Sequence, residues 1–380
     1  MLLLLMPLAA AVAAVAPCPV REDTVIVYSR ATGVGGASII WVEDLLWWLQ
    51  QADAELKYQG LSETDVQACD LASFSKLRLY INPGGNAYNQ LSALQANGTR
   101  NIKDFVTRDQ AAHPSAFVGF CAGAYMASFA YVWETMFEGL GYFNFKQDPP
   151  LDIFPHMVEG SLVDINDDQF SDQMGHKYRM VNVSNGHQML YFGGSSFGWN
   201  AVPDFTDPAS PDYDSATEVL LYFSDFYGSA ALSGGTYNLP AAWKRENVLM
   251  TSIHPCAVCA AALFRLSCRS LRRCCAQDNC TADHENPESA DCPPAGTLPE
   301  ALILKNRAWL VQHLNAVSGL SIKLPAATPT PNMSAAKPHS SWPTPLCGKD
   351  LLFCDGFDSA PGEVPAGLWQ WQRNQSFYNA

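Results

Sequence analysis

Basic residues are scarce in this 380-residue chain: Lys and Arg total 23 against 37 Asp and Glu, a formal net charge of −14. That balance argues against a broad surface for nucleic acid or anionic membrane, because both need clustered cations. A membrane-spanning run is also missing. The apolar stretch from Met1 to Ala16 is too short to cross a bilayer comfortably. Gly33, Gly35 and Gly36 follow the first strand-like run without the G-x-G-x-x-G spacing, so no dinucleotide is expected there. No internal repeat is visible.

Cysteines and asparagine sequons are plentiful instead. Met1 to Ala16 carries no Lys or Arg before its apolar run, yet it ends in the small triplet Ala14-Val15-Ala16 and reads as a signal peptide over residues 1–16. Twelve cysteines and the acceptor asparagines Asn97, Asn182, Asn279, Asn332 and Asn374 fit a secreted, disulfide-bonded extracellular glycoprotein. Cys18–Cys69 and Cys347–Cys354 are candidate pairs. Seven cysteines from Cys256 to Cys292 mark an insertion, residues 256–299, read as disulfide-stapled rather than zinc-binding. Neither a metal nor a cofactor is expected. From Pro325 a Pro/Ser/Thr/Ala linker leads into an aromatic tail, so residues 325–380 stand apart from a domain at 22–320.

Within 22–320 the pattern is alternating strand and helix. Strand-like runs lie at 24–29, 56–58 and 76–81, with helical periodicity from Ile39 to about Ala52 and from Asn101 to about Gln110. Ala116-Phe117-Val118 is an apolar run of buried-strand character, followed by Gly119-Phe-Cys121-Ala-Gly123 and a small-residue segment read as helix from Ala122 to Tyr131. This G-x-C-x-G spacing is that of a nucleophile elbow, a tight strand-to-helix turn that lifts one side chain above a sheet. At a helix N-terminus the Cys121 thiol is expected to favour thiolate. Its alternative is an inert buried cysteine. Ile81-Asn-Pro-Gly-Gly85 ends another strand at the edge where open α/β sheets place ligands. The N–H groups of Gly85 and Ala122 could converge there as an oxyanion site. Further strands are expected at 161–164, 178–183, 188–192, 218–223 and 247–253, the last delivering His254-Pro255, before an amphipathic helix from Leu302 to Val317. His156 and His187 read as structural or surface histidines.

Together, Val25 to Ser29, Ile81-Asn-Pro-Gly-Gly85, Gly119-Phe-Cys-Ala-Gly-Ala-Tyr125, Leu190-Tyr-Phe-Gly-Gly194 with Phe197, and Ile253-His-Pro255 resemble the class I glutamine amidotransferase-like superfamily. Within it, the resemblance is to the N-terminal domain of eukaryotic biotin-protein ligase and its secreted stand-alone relatives. It implies an α/β, flavodoxin-like doubly wound sheet. Cys121 would be the nucleophile and His254 its base, with Gly85 and Ala122 as oxyanion donors and Gly84, Gly193 and Gly194 around the pocket. The Gly-rich biotin-binding segment of the ligase itself is missing. In the glutamine-hydrolysing enzymes a Glu follows the His-Pro and orients the imidazole; here Cys256 stands at that position. The expectation is therefore a cysteine-dependent site for a small molecule or an amide or ester substrate, with negligible glutaminase activity. A non-catalytic binding protein on the same fold is the alternative.

Overall fold

The computed structural model describes residues 18–21, 24–29, 31–34, 36–135, 139–143, 150–160, 179–191, 193–198, 202–224, 239–256 and 300–325. Its frame is a mostly parallel sheet. Strands β1 (Val25–Tyr28), β2 (Tyr58–Leu61), β3 (Leu79–Asn82), β4 (Ala116–Phe120) and β12 (Val248–Thr251) run parallel in the order β2-β1-β3-β4-β12. That is the flavodoxin order of a doubly wound sheet, as expected, with its switch point between β1 and β3. Two antiparallel strands, β11 (Pro240–Arg245) and β10 (Thr217–Tyr222), extend it beyond β12.

Near-continuous apolar strands are what a sheet covered on both faces requires. Alternate residues sort accordingly. Ile26, Tyr28, Tyr80 and Phe117 meet Leu91, Leu94, Ile102 and Phe105 of α3 (Ala87–Thr107). Val25, Val27, Ile81 and Val118 meet Trp41, Leu45 and Trp48 of α1 (Gly36–Gln50) and Leu310 and Leu314 of α5 (Glu300–Ser318). A disulfide joins Cys18 to Cys69 across 51 residues, fastening the N-terminal segment to the end of α2 (Glu63–Ala68). A loop of that length contributes about 4 kcal/mol on the chain-entropy account.

Several boundaries differ from expectation. Helix α1 begins three residues before Ile39. Helix α3 begins at Ala87, capped by the Asn86 side chain, and its two helical pieces meet at Gln95 (φ 54°); the periodicity from Asn101 caught only the second piece. The elbow helix α4 (Ala122–Ala127) stops well short of Tyr131. Its closing carbonyls are taken by incoming groups: Ser128 Oγ donates to Tyr125 O at 2.6 Å, and the Leu151 and Ile153 amides donate to Met126 and Ala127. The chain then enters β5 (Ser128–Thr135), which pairs with β6 (Gly139–Phe143) and β7 (Phe154–Gly160) in a second, three-stranded sheet. A third sheet has the order β13-β9-β8, made from β8 (Arg179–Asn182), β9 (Gln188–Tyr191) and β13 (Ile253–His254). The single strand expected over 247–253 is therefore two, broken at Ser252. The strand expected at 161–164, most of the insertion and the C-terminal tail lie outside the described residues, as do Asn279, Asn332 and Asn374. No described helix is long and apolar enough to cross a membrane.

Candidate active site

The elbow is built from glycines that leave no room for a side chain. A Cβ on Gly119 would lie 2.5 Å from the Gly123 carbonyl carbon and oxygen, and one on Gly123 would lie 2.7 Å from Asn82 O at the end of β3. Between them Cys121 adopts φ 50°, ψ −105° as the residue preceding α4. Such a conformation costs a non-glycine residue about 1–3 kcal/mol and persists only where the surroundings enforce it. Here the Cys121 N–H donates to Thr251 O at 2.8 Å and its carbonyl accepts from Ala124 N at 3.0 Å.

The Pro-Gly-Gly loop is fixed from the other side. Val34 bridges Gly85, Asn86 N donates to Gly33 O at 2.8 Å, and the buried Gln90 amide donates to the same carbonyl at 3.1 Å. Gly85 takes φ +140°, a region that favours glycine. The result is that the N–H groups of Gly85 and Ala122 both hydrogen-bond the Cys121 thiol.

His254 arrives from β13, in a different sheet. Gly84 is where the groups meet: a Cβ there would lie 2.6 Å from Ser38 Oγ, 2.8 Å from His254 Cε1 and 3.1 Å from Cys121 Cβ. Gly193 and Gly194 touch the supports of this site. Tyr125 OH donates to Gly193 O at 3.1 Å, and a Cβ on Gly194 would run into Ser252 O, two residues before His254. His156 is tied instead to Asp214 at 3.0 Å and stacked on Phe205, and His187 borders a groove along α5.

Burial sets the protonation states. Cys121 is 4 % exposed and His254 1 %. Desolvation pushes the Cys121 thiol up to about 11, with the two amide hydrogen bonds opposing it. The thiolate expected at the helix N-terminus is thus overturned, since the six-residue α4 offers less than burial removes. Desolvation alone lowers His254 to about 3. At neutral pH the resting pair is a thiol and a neutral imidazole.

No carboxylate among the described residues hydrogen-bonds His254. Its ring is packed edge-to-face on Trp41, centroids 5.0 Å apart. Cys256 is fully buried in the core on the α5 side, where desolvation pushes its thiol up to about 12 against the opposing field of Arg307. Arg307 pairs with Asp44. The buried Glu159 on β7 lies in electrostatic reach of Tyr125, as does Cys121. Ser38, Trp41 and Glu159 were not singled out as site residues in the sequence; only Trp41 was legible, as part of a core-facing stripe.

A pH dependence of stability follows. Below pH 6.5 the unfolded chain protonates His254 while the folded one does not, so stability falls as pH drops from about 6.5 toward 3, by roughly 1.4 kcal/mol per unit at the steepest. Urea titrations at pH 4 and 7 should show this slope flattened in His254→Asn; an unchanged slope would refute the assignment.

No curated protein matches the sequence. Among solved structures, similar folds include a glutamine amidotransferase (15 % identity, TM-score 0.36, covering 62 % of this chain and 91 % of that one). Another is a glutamine amidotransferase from Thermotoga maritima (9 %, TM-score 0.36, covering 78 % and 99 %). A ThuA-like protein from Bacteroides uniformis follows at 10 % identity and TM-score 0.34, covering 61 % and 82 %. The family model described as biotin-protein ligase, N terminal, matches residues 73–224, a span that holds Gly84, Gly85, Cys121, Gly193 and Gly194 and ends before His254. Over that span the chain is similar to the biotin-protein ligase N-terminal family.

Proposed function

We propose that this is a secreted amidotransferase-like protein in which Cys121 and His254 form a thiol–imidazole site for hydrolysis of a small amide or ester. The observation that carries the reading is the convergence of two backbone N–H donors on Cys121, with His254 facing it across Gly84. In the reaction, the thiol attacks the carbonyl as His254 takes its proton, and the Gly85 and Ala122 amides receive the charge on oxygen. His254 returns the proton to the leaving amine or alcohol. Water then attacks the thioester with His254 again as base, and the thiol is restored.

Glutamine is a poor fit. Among the described residues no carboxylate hydrogen-bonds the imidazole to stabilise its charged form, and losing that partner costs about 10⁴ in turnover in a serine triad. A second reading, a binding protein on the same fold, draws on the high pKa of Cys121, which leaves little thiolate at neutral pH. Hydrolysis of p-nitrophenyl acetate separates the two. Turnover lost on Cys121→Ser and reduced on His254→Ala, with ammonia release from glutamine at background, is the expected result. Ester turnover unaffected by Cys121→Ser would refute the hydrolase reading.

A further inference from the structure

The turn between β8 and β9 holds His187 against α5, away from the elbow. Gly186 makes the reversal at φ +73°. The His187 N–H donates to Asn185 Oδ1 at 3.1 Å and its carbonyl accepts from Val183 N at 3.0 Å, so the backbone that carries the imidazole is fixed. At the far end of α5 the chain reverses at Gly319 (φ +67°) and runs back beside the helix. Asn315 pins it there: its amide donates to Ile322 O at 3.1 Å and its side-chain oxygen accepts from Ile322 N at 2.8 Å. Between helix, hairpin and returning segment lies an open groove of about 510 Å³. Ordinary ligand sites run from roughly 300 to 1,000 Å³.

The groove differs in chemistry along its length. Lys305 and His187 line it together. Burial first, and the Lys305 charge second, hold His187 below its ordinary pKa, so its ring is neutral at pH 7. His187 is 6 % exposed, and its buried Nδ1 has no hydrogen-bond partner among the described residues. A buried ring nitrogen left in that state is costly, and an incoming acceptor relieves it in the tautomer that carries the proton on Nδ1. The rest of the wall is largely apolar: Trp309, Val311, Ile322 and the exposed Leu324. On α5 the lining runs from Lys305 to Asn315, about 15 Å at the helical rise. A cation and a ring N–H followed by a long apolar wall match an elongated molecule with one carboxylate head. The head accepts charge-assisted hydrogen bonds, and the body shields the wall from water.

We propose that this groove is a binding site for a monocarboxylate of the fatty-acid type, its carboxylate held by Lys305 and His187 and its hydrocarbon body lying along Trp309, Val311, Ile322 and Leu324. The lining shares no residue with the Cys121 site, so the inference stands independently of the hydrolase reading.

The test is displacement of dansyl-undecanoate, read by its fluorescence on the full chain at pH 7 and low salt. The probe should bind saturably. Decanoate should displace it at a concentration about tenfold or more below that of decanamide, which has the same hydrocarbon body without the charge. Lys305→Gln should weaken decanoate about tenfold and leave decanamide within about twofold, because only the acid uses the cation. Lys305 is exposed, so this variant keeps its fold. Ala308→Trp, which fills the groove from α5, should abolish displaceable binding of both compounds. Should that bulkier variant melt early, Lys305→Gln alone decides. Cys121→Ser should leave every value as in the parent. Absence of saturable probe binding, equal displacement by acid and amide, a Lys305→Gln variant that binds like the parent, a folded Ala308→Trp variant that does so, or weakening by Cys121→Ser would each overturn the proposal.

Discussion

Gly119→Ala should destabilise the protein by about 3 kcal/mol or more and lower its melting temperature by roughly 10 °C. Strand β4 lies in the middle of the central sheet, paired on both sides, and cannot slide away. The added methyl would meet the Gly123 carbonyl carbon and oxygen at 2.5 Å and the Ala124 nitrogen at 2.9 Å. All three are backbone atoms of the elbow, so no rotamer relieves the contact. Relief requires α4 to move off the strand, which breaks the turn that holds Cys121. Differential scanning fluorimetry on purified variant and parent is sufficient. A variant melting within about 2 °C of the parent would show that the elbow yields to the extra methyl.

Gly84→Ala should do the reverse, sparing the fold and disabling the site. The atoms its methyl would meet are all side-chain atoms, on Ser38, His254 and Cys121. Those groups can give way, and the cost appears as displacement. Moving a reacting group by about 1 Å can cost 10²-fold in rate, so Cys121-dependent ester hydrolysis should fall by about that factor or more. The melting temperature should change by no more than about 3 °C, since one overpacked side-chain contact can be absorbed locally. Rates within threefold of the parent would mean that Ser38, His254 and Cys121 do not work as one site. Taken together, the two glycines separate steric demand for folding from steric demand for function within 36 residues of chain.

How far the site could be read in advance depended on what leaves a mark in one dimension. The elbow was legible because Gly119 and Gly123 touch each other, so the constraint appears as two glycines flanking Cys121 at fixed spacing. The Gly85 amide was legible because Pro-Gly-Gly ends a strand and parallel strand ends share one rim. Ser38 left no mark: its place beside Cys121 depends on how α1 packs across the sheet. The length of α4 was hidden for a related reason. Ala-rich, apolar residues from 122 to 131 suit a helix or a buried strand, and the amides that end the helix come from Leu151 and Ile153. Polarity hid the first half of α3, where Asn, Gln and Ser dilute the apolar stripe before the break at Gln95. The charge state of Cys121 is not legible in one dimension, because a helix terminus is visible in a sequence and the extent of burial that raises the thiol is not.

The interruption at Ser252 has a consequence for how such a site changes over generations. Within four residues the chain leaves the central sheet, where β12 supports the elbow, and enters the small sheet, where β13 lies on β9 and carries His254. Asn306 of α5 donates to Gln188 O and braces that small sheet from outside. Cys121 and His254 are therefore inherited as parts of different frameworks, and their side chains meet at Gly84. Drift in β8, β9 or α5 can reposition or silence the imidazole without touching the turn that carries the thiol, and the elbow can outlast any particular reaction performed there. A lineage can in this way exchange one chemistry for another by remodelling the smaller sheet, with the larger one held constant by the glycines it cannot replace.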